Sequence, residues 1–137
     1  METKFNFNSQ ICTTREQSER LLALGLKKET ADMVLCEPFD YEKRKYSDGN
    51  VKIVLEEGED FCKDDIPAWS LHRLLSLLPK EILCEVENGL GMYFGDENAV
   101  SYFGVLGYYT HANLYDAIIL CIEDVIKEGY FNKEYLV

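Results

Sequence analysis

Ile82-Leu-Cys-Glu-Val-Glu-Asn-Gly-Leu-Gly-Met-Tyr-Phe94 and, further on, Asn113-Leu-Tyr-Asp-Ala-Ile-Ile-Leu-Cys-Ile-Glu-Asp-Val-Ile-Lys-Glu128 decide how this chain folds. In the first stretch Ile82, Cys84 and Val86 alternate with Leu83, Glu85 and Glu87, the period-two pattern of a half-buried strand. Asn88-Gly89 is a pair that tolerates positive φ at a tight turn, so the chain is expected to return through Leu90, Met92 and Phe94 as a hairpin over 82–95. A third strand is expected over 99–105. In the second stretch Leu114, Ile118, Ile122 and Val125 share a helical face flanked by Tyr115, Ile119, Cys121 and Ile126, leaving only a strip of Asp116, Leu120, Glu123, Asp124 and Lys127 for water. Asn113 suits the N-cap and Gly129 the stop. A helix this apolar must lie against a sheet or in the middle of a fold.

Upstream, Thr13 and Thr14 stand three residues before Glu16 and Gln17, offering two overlapping capping boxes, and Arg15–Glu19 and Glu16–Arg20 are spaced for ion pairs. A helix starts there and should stop at Gly25; a second short helix is expected over Glu29 to Leu35, making an N-terminal helical pair over about 14–35. After Pro38, Asp48-Gly49 is a further turn pair, followed by a strand over 51–55 expected to join the 82–105 sheet, while 39–46 reads equally well as strand or loop. Residues 56–65 hold six acids and one base and read as a solvated loop. Pro67-Ala-Trp69 leads into a helix capped by Ser70, with Leu71, Leu74, Leu75, Leu77 and Leu78 on one side and Pro79 at its end. Gly104, Gly107 and Tyr108-Tyr109 read as an irregular link, and residues 130–136 as an aromatic tail that folds back. Helices and hairpins are segregated rather than alternating, which defines an α+β class with a small antiparallel sheet covered by helices, in one domain over 1–137 with an α+β core from about 39.

With 137 residues, 47% hydrophobic and 28% charged, the chain falls in the ordinary globular class and can bury a core without staples. Five cysteines, odd in number and far apart, make neither a disulfide framework nor a CxxC knuckle, so reduced thiols are expected. Met1-Glu-Thr-Lys-Phe5 lacks the basic start and apolar run of a signal peptide, and no stretch approaches the roughly 18 apolar residues of a span, so a cytoplasmic protein without membrane contact is expected. The net charge of −11 is lopsided: 15 acids and 12 bases over residues 1–80 against 10 acids and 2 bases over 81–137, or −3 against −8. Such a field repels nucleic-acid phosphates and anionic membranes and favours a basic protein partner.

Three stretches, Glu19-Arg-Leu-Leu-Ala-Leu-Gly-Leu-Lys-Lys-Glu-Thr-Ala-Asp-Met33, Ile66-Pro-Ala-Trp-Ser-Leu-His-Arg-Leu-Leu-Ser-Leu-Leu-Pro79 and Glu128-Gly-Tyr-Phe-Asn-Lys-Glu-Tyr-Leu136, resemble small proteins encoded in prophages and other mobile elements of gut bacteria. The resemblance implies a bacterial, intracellular accessory protein and carries no activity or site residues with it. Leu21-Leu-Ala-Leu-Gly-Leu26 followed by Ala31 is also similar to the helix–Gly–helix start of ubiquitin-associated-type domains, over about a tenth of the chain and with no third helix in register.

No catalytic motif stands out. His72 and Ser76 are one turn apart on a polar helix face, an arrangement that a solvated face produces as readily as a base beside a nucleophile. His111 precedes a helix cap, where it could meet Cys84 or a carboxylate; Cys84 and Cys121 read as core residues. The acids of 56–65 lack calcium-loop spacing, and there is neither a GxxxxGK[ST] cradle nor a strand–GxGxxG–helix unit, so neither metal nor cofactor is expected. Lys43-Arg44-Lys45 suits a solvated strand edge. Trp69, Tyr93, Tyr102, Phe103, Tyr108 and Tyr109 read first as core and second as interface. The function expected is therefore non-catalytic: an accessory or regulatory protein that presents Glu85, Glu87, Asp116, Glu123 and Asp124 to a partner. The competing expectation is a small hydrolase or ligand-binding enzyme built on His72 or His111, and a third is a homo-oligomer packed through the aromatic tail.

Overall fold

A computed structural model describes residues 10–36, 39–40, 45–46, 51–54, 65–82, 89–102 and 108–137, with the side chains of 36, 39–40, 45–46, 51–54 and 108 excepted. In chain order the elements are helix α1 (Arg15–Ala23), a 3-10 turn (Lys28–Thr30), strands β1 (Met33–Cys36), β2 (Phe39–Asp40), β3 (Lys45–Tyr46), β4 (Val51–Val54) and β5 (Ile66–Ala68), helix α2 (Leu71–Leu77), strands β6 (Leu90–Phe94), β7 (Asn98–Tyr102) and β8 (Tyr108–His111), helix α3 (Leu114–Lys127) and a second 3-10 turn (Lys133–Tyr135). Every strand pairing described is antiparallel, in sheets ordered β4-β1-β5, β2-β3 and β6-β7-β8, and the fold is α+β.

Helix α3 forms as its pattern requires. Asn113 Oδ1 accepts from the Asp116 N–H at 3.2 Å, Gly129 follows the C-cap at φ 82°, and Tyr115, Ala117, Ile118, Ile119, Cys121, Ile122 and Val125 are buried. The buried face lies on β7 and β8 and also meets α1 and α2, so the main core is assembled around this one helix. Burying a branched aliphatic side chain contributes roughly 1.5–3 kcal/mol, which makes α3 the chief hydrophobic contribution to the fold. Val100 and Tyr102 of β7 complete the contact, with the Tyr102 hydroxyl donating to the Pro79 carbonyl at 2.5 Å.

Helix α1 uses the second of the two capping boxes: the Thr14 hydroxyl accepts from the Gln17 N–H at 3.2 Å and the Gln17 side chain from the Thr14 N–H at 3.0 Å. Arg15 and Glu19 pair at 3.5 Å, whereas Arg20 reaches Glu123 on α3 at 3.0 Å. Gly25 at φ 100° ends the turn after α1, a conformation that strains any residue with a Cβ. The tail folds back over its own chain: Phe131 is buried, Leu136 bridges to Leu26, and the Lys27 N–H donates to the Tyr135 carbonyl at 2.8 Å.

Several expectations need correction. The second N-terminal helix over Glu29 to Leu35 is a single 3-10 turn followed by strand β1, because Met33, Val34 and Leu35 are buried on alternating sides between β4 and β5. The same finding removes the likeness to a helix–Gly–helix domain start. Strand 51–54 joins β1 rather than the 82–105 sheet, with Met33 opposite Val54 and Cys36 opposite Val51. Residues 39–40 and 45–46 are a short strand pair nested inside that ribbon. The helix expected after Pro67-Ala-Trp69 is α2, capped as expected by Ser70 through the Arg73 N–H at 3.2 Å; what the sequence did not show is that Pro67 itself sits in a strand, β5, opposite Val34. Strand β6 pairs with β7 through the turn Gly95-Asp96-Glu97, and the expected irregular link is strand β8 from Tyr108. The Asn88-Gly89 turn, the strand before it and the Asp48-Gly49 turn lie outside the described residues, save for Ile82, which is buried in the core, and Gly89.

Candidate functional site

The candidate acidic surface is set by helical periodicity. Asp116, Glu123 and Asp124 stand on the side of α3 that the sheet leaves uncovered, Glu123 exposed and the other two half-buried. Glu123 and Asp124 are hydrogen-bonded within the chain. Glu123 accepts from Arg20, the Tyr109 hydroxyl on β8 donates to Asp124, and Asp116 lies 3.7 Å from His111 Nδ1. Burial, followed by the Asp124 carboxylate beside it, pushes the Tyr109 hydroxyl well above its ordinary range. Glu85 and Glu87 lie outside the described residues.

The two histidines are on different elements, and among the described residues neither ring hydrogen-bonds to a thiol or hydroxyl. His111 ends β8, exposed, and its Nδ1 accepts from the Asn113 N–H at 2.9 Å, so the ring helps to cap α3. His72 is exposed near the start of α2, and the Ser76 hydroxyl donates to the His72 backbone carbonyl at 2.8 Å instead of to its ring. Cys84 lies outside the described residues. Cys121 is wholly buried against the sheet, and burial, with Asp124 adding to it, holds the thiol up at about 12; it is a protonated core residue at neutral pH. Cys12 is buried against Met33, Leu35 and Ala68.

His72 lines an open cleft of about 560 Å³ where the N-terminal ends of α2 and α3 meet Gln10 and Ile11, ahead of α1. Gln10, Ser70, Asn113 and Tyr115 also line it. Its polar groups form a network that the sequence did not signal. Asn113 Nδ2 donates to Gln10 Oε1 at 2.8 Å, Gln10 Nε2 donates to Gln17 Oε1 at 2.7 Å, and Gln17 Nε2 donates to Asn113 Oδ1 at 3.3 Å. At its far wall Ser70 donates to Asp32 through its N–H at 2.9 Å and its hydroxyl at 2.5 Å. The amides tie Gln10 to α1 and to the start of α3, and Ser70 ties the start of α2 to Asp32.

Among the described residues no three His, Cys, Asp or Glu side chains converge as metal ligands. No described helix is long and apolar enough to cross a membrane. Of the aromatic candidates, Trp69 and Tyr102 are core and Tyr109 is half-buried, whereas Tyr93, expected first as core, is exposed, as is its neighbour Phe94, because both lie at the end of β6 where the core stops. Comparison with protein-family models, with curated proteins and with solved structures finds no match.

Proposed function

We propose that this protein has no catalytic centre and works through protein–protein contacts with a basic partner, as an accessory or regulatory factor of a bacterial mobile element. The observation that supports this reading is the strip of Asp116, Glu123 and Asp124 on α3, a helix held rigid by burial on its other sides and set within the half of the chain that carries −8. A fixed row of carboxylates attracts cationic groups and speeds encounter with them, and that attraction weakens with salt. Capture from a bacterial lysate at low and high salt tests it, with wild-type and Glu123→Lys baits compared. A basic protein retained by the wild type at low salt and lost on charge reversal is the expected result; capture unaffected by the reversal rules out this surface. Circular dichroism of the variant separates loss of contact from loss of fold.

A second reading, a ligand-binding protein or small hydrolase using His72, is favoured by the cleft between α2 and α3. It predicts that a small-molecule screen followed by NMR shifts the imidazole resonances of His72 and the amides of Gln10 and Asn113 together. A ligand set that moves none of the three excludes it.

A further inference from the structure

The turn joining β6 to β7 carries two large apolar side chains in water: Tyr93 is 69% exposed and Phe94 65%. Successive strand residues face opposite sides of a sheet. Leu90 and Met92, on the side of Phe94, pack on the main core, and Phe94 continues that row past its edge. Tyr93 stands on the other side, above small residues, with Ala99 directly opposite. The ring lies close over Gly95: a Cβ there would stand 3.1 Å from Tyr93 Cε1, so the glycine lets the ring sit a few tenths of an ångström nearer the turn than any other residue would. Asp96 and Glu97 follow immediately, both exposed, and among the described residues neither makes an ion pair. One strand end therefore presents an aromatic face, a second ring on its other side, and two carboxylates between.

A guanidinium fits this chemistry better than an ammonium does, because it is flat, stacks on an aromatic face and offers a fork of donors to a carboxylate. A second copy of the chain is disfavoured as occupant, since each copy carries −11. We infer that the β6–β7 turn is the docking site for an arginine-bearing segment of a basic partner protein. The inference rests on the proposed partner's charge and moves the principal contact from α3 to this turn.

The test uses fluorescence anisotropy of labelled nona-arginine and nona-lysine peptides with the full chain at low and physiological salt. Binding of nona-arginine should be tighter than that of nona-lysine by about 2- to 5-fold, the size expected of one exposed cation–π contact. Tyr93→Ala should remove that preference, and Gly95→Ala, which keeps the ring but shifts it by a few tenths of an ångström, should reduce it. Neither change touches the core, and circular dichroism checks the fold of both. Asp96→Asn with Glu97→Gln should weaken both peptides. Equal binding of the two peptides, insensitive to Tyr93→Ala, overturns the inference and leaves diffuse attraction only. Binding lost in Glu123→Gln but kept in Tyr93→Ala also overturns it while supporting the α3 surface; binding of neither peptide at low salt overturns it as well, and the α3 surface then stands or falls on Glu123→Lys capture.

Discussion

Helix α3 and the joint around Trp69 are both buried, yet they are held by different physics. Along α3 the buried side chains are mostly aliphatic, Tyr115 and Cys121 excepted, and the helix settles on β7 and β8 chiefly by non-directional burial. Around Trp69 the contacts are directional. Its backbone N–H donates to Thr13 Oγ1 at 3.0 Å, its indole N–H to Thr30 Oγ1 at 2.9 Å, its carbonyl accepts from the Thr13 N–H at 2.9 Å, and the next residue, Ser70, is bound twice by Asp32. The apolar region determines that the chain collapses around α3. The polar joint determines how the N-terminal arm, α1 and β5 are set against one another, because each hydrogen bond is satisfied in one arrangement only.

Cutting into the apolar side should have the largest effect. Ile122→Ala removes a wholly buried side chain at the centre of the α3 face and should lower unfolding free energy by about 2–5 kcal/mol in urea denaturation, as large-to-small core changes do. If the loss were under about 1 kcal/mol, α3 would not be the centre of the core. On the polar side, Thr13→Val keeps the shape but leaves the Trp69 N–H and the Ser18 hydroxyl, 2.7 Å from Thr13 Oγ1, without their buried partner. The expected cost is about 1–3 kcal/mol. A neutral outcome would show that the joint does not depend on the Thr13 hydroxyl.

The comparison also has a pH signature. Cys121 belongs to the apolar side, and burial holds its thiol at about 12, above its ordinary value of 9.0. A group with a raised folded pKa contributes stability that is fully present below its unfolded value and is lost as pH rises through the folded one. Stability should therefore be flat to about pH 9 and fall toward pH 12, the thiol alone accounting for about 1 kcal/mol at pH 10. Urea titrations of wild type and Cys121→Ala at pH 7 and pH 10 measure it: the variant should lose less between the two. An equal loss would place the alkaline sensitivity on Tyr109 and Tyr102, whose hydroxyls burial also raises.

This division explains what could be read in the sequence. Helix α3 was legible because burial on several sides repeats at helical spacing over 14 residues and is bracketed by Asn113 and Gly129. The joint was not, because Trp69 pairs with residues 56 and 39 positions away and a satisfied hydroxyl leaves no periodic trace. Strand β1 was misread as helix since Met33-Val-Leu-Cys36 is a short apolar run that both periods accommodate; only its pairing with β4 and β5 distinguishes them. The acidic strip was legible from the spacing of Asp116, Glu123 and Asp124, whereas the partners Arg20 and Tyr109 come from elements that the sequence could not dock.

Arg20 gives the smallest expected effect and asks the most of the comparison, because its pairing with Glu123 joins α1 to α3 across the surface. Both side chains are roughly half exposed, so water and salt screen the pair and its contribution should lie below about 1 kcal/mol. Arg20→Gln should therefore leave stability nearly unchanged while freeing the Glu123 carboxylate. If α3 is the contact surface, the freed carboxylate should strengthen capture of a basic protein at low salt; if the β6–β7 turn is, capture should stay as it was. A destabilisation of more than 1 kcal/mol would instead show that α1 is positioned by this ion pair as well as by Thr13, Gln17 and Asn113, and the line between an apolar half and a hydrogen-bonded half of the molecule would have to be redrawn.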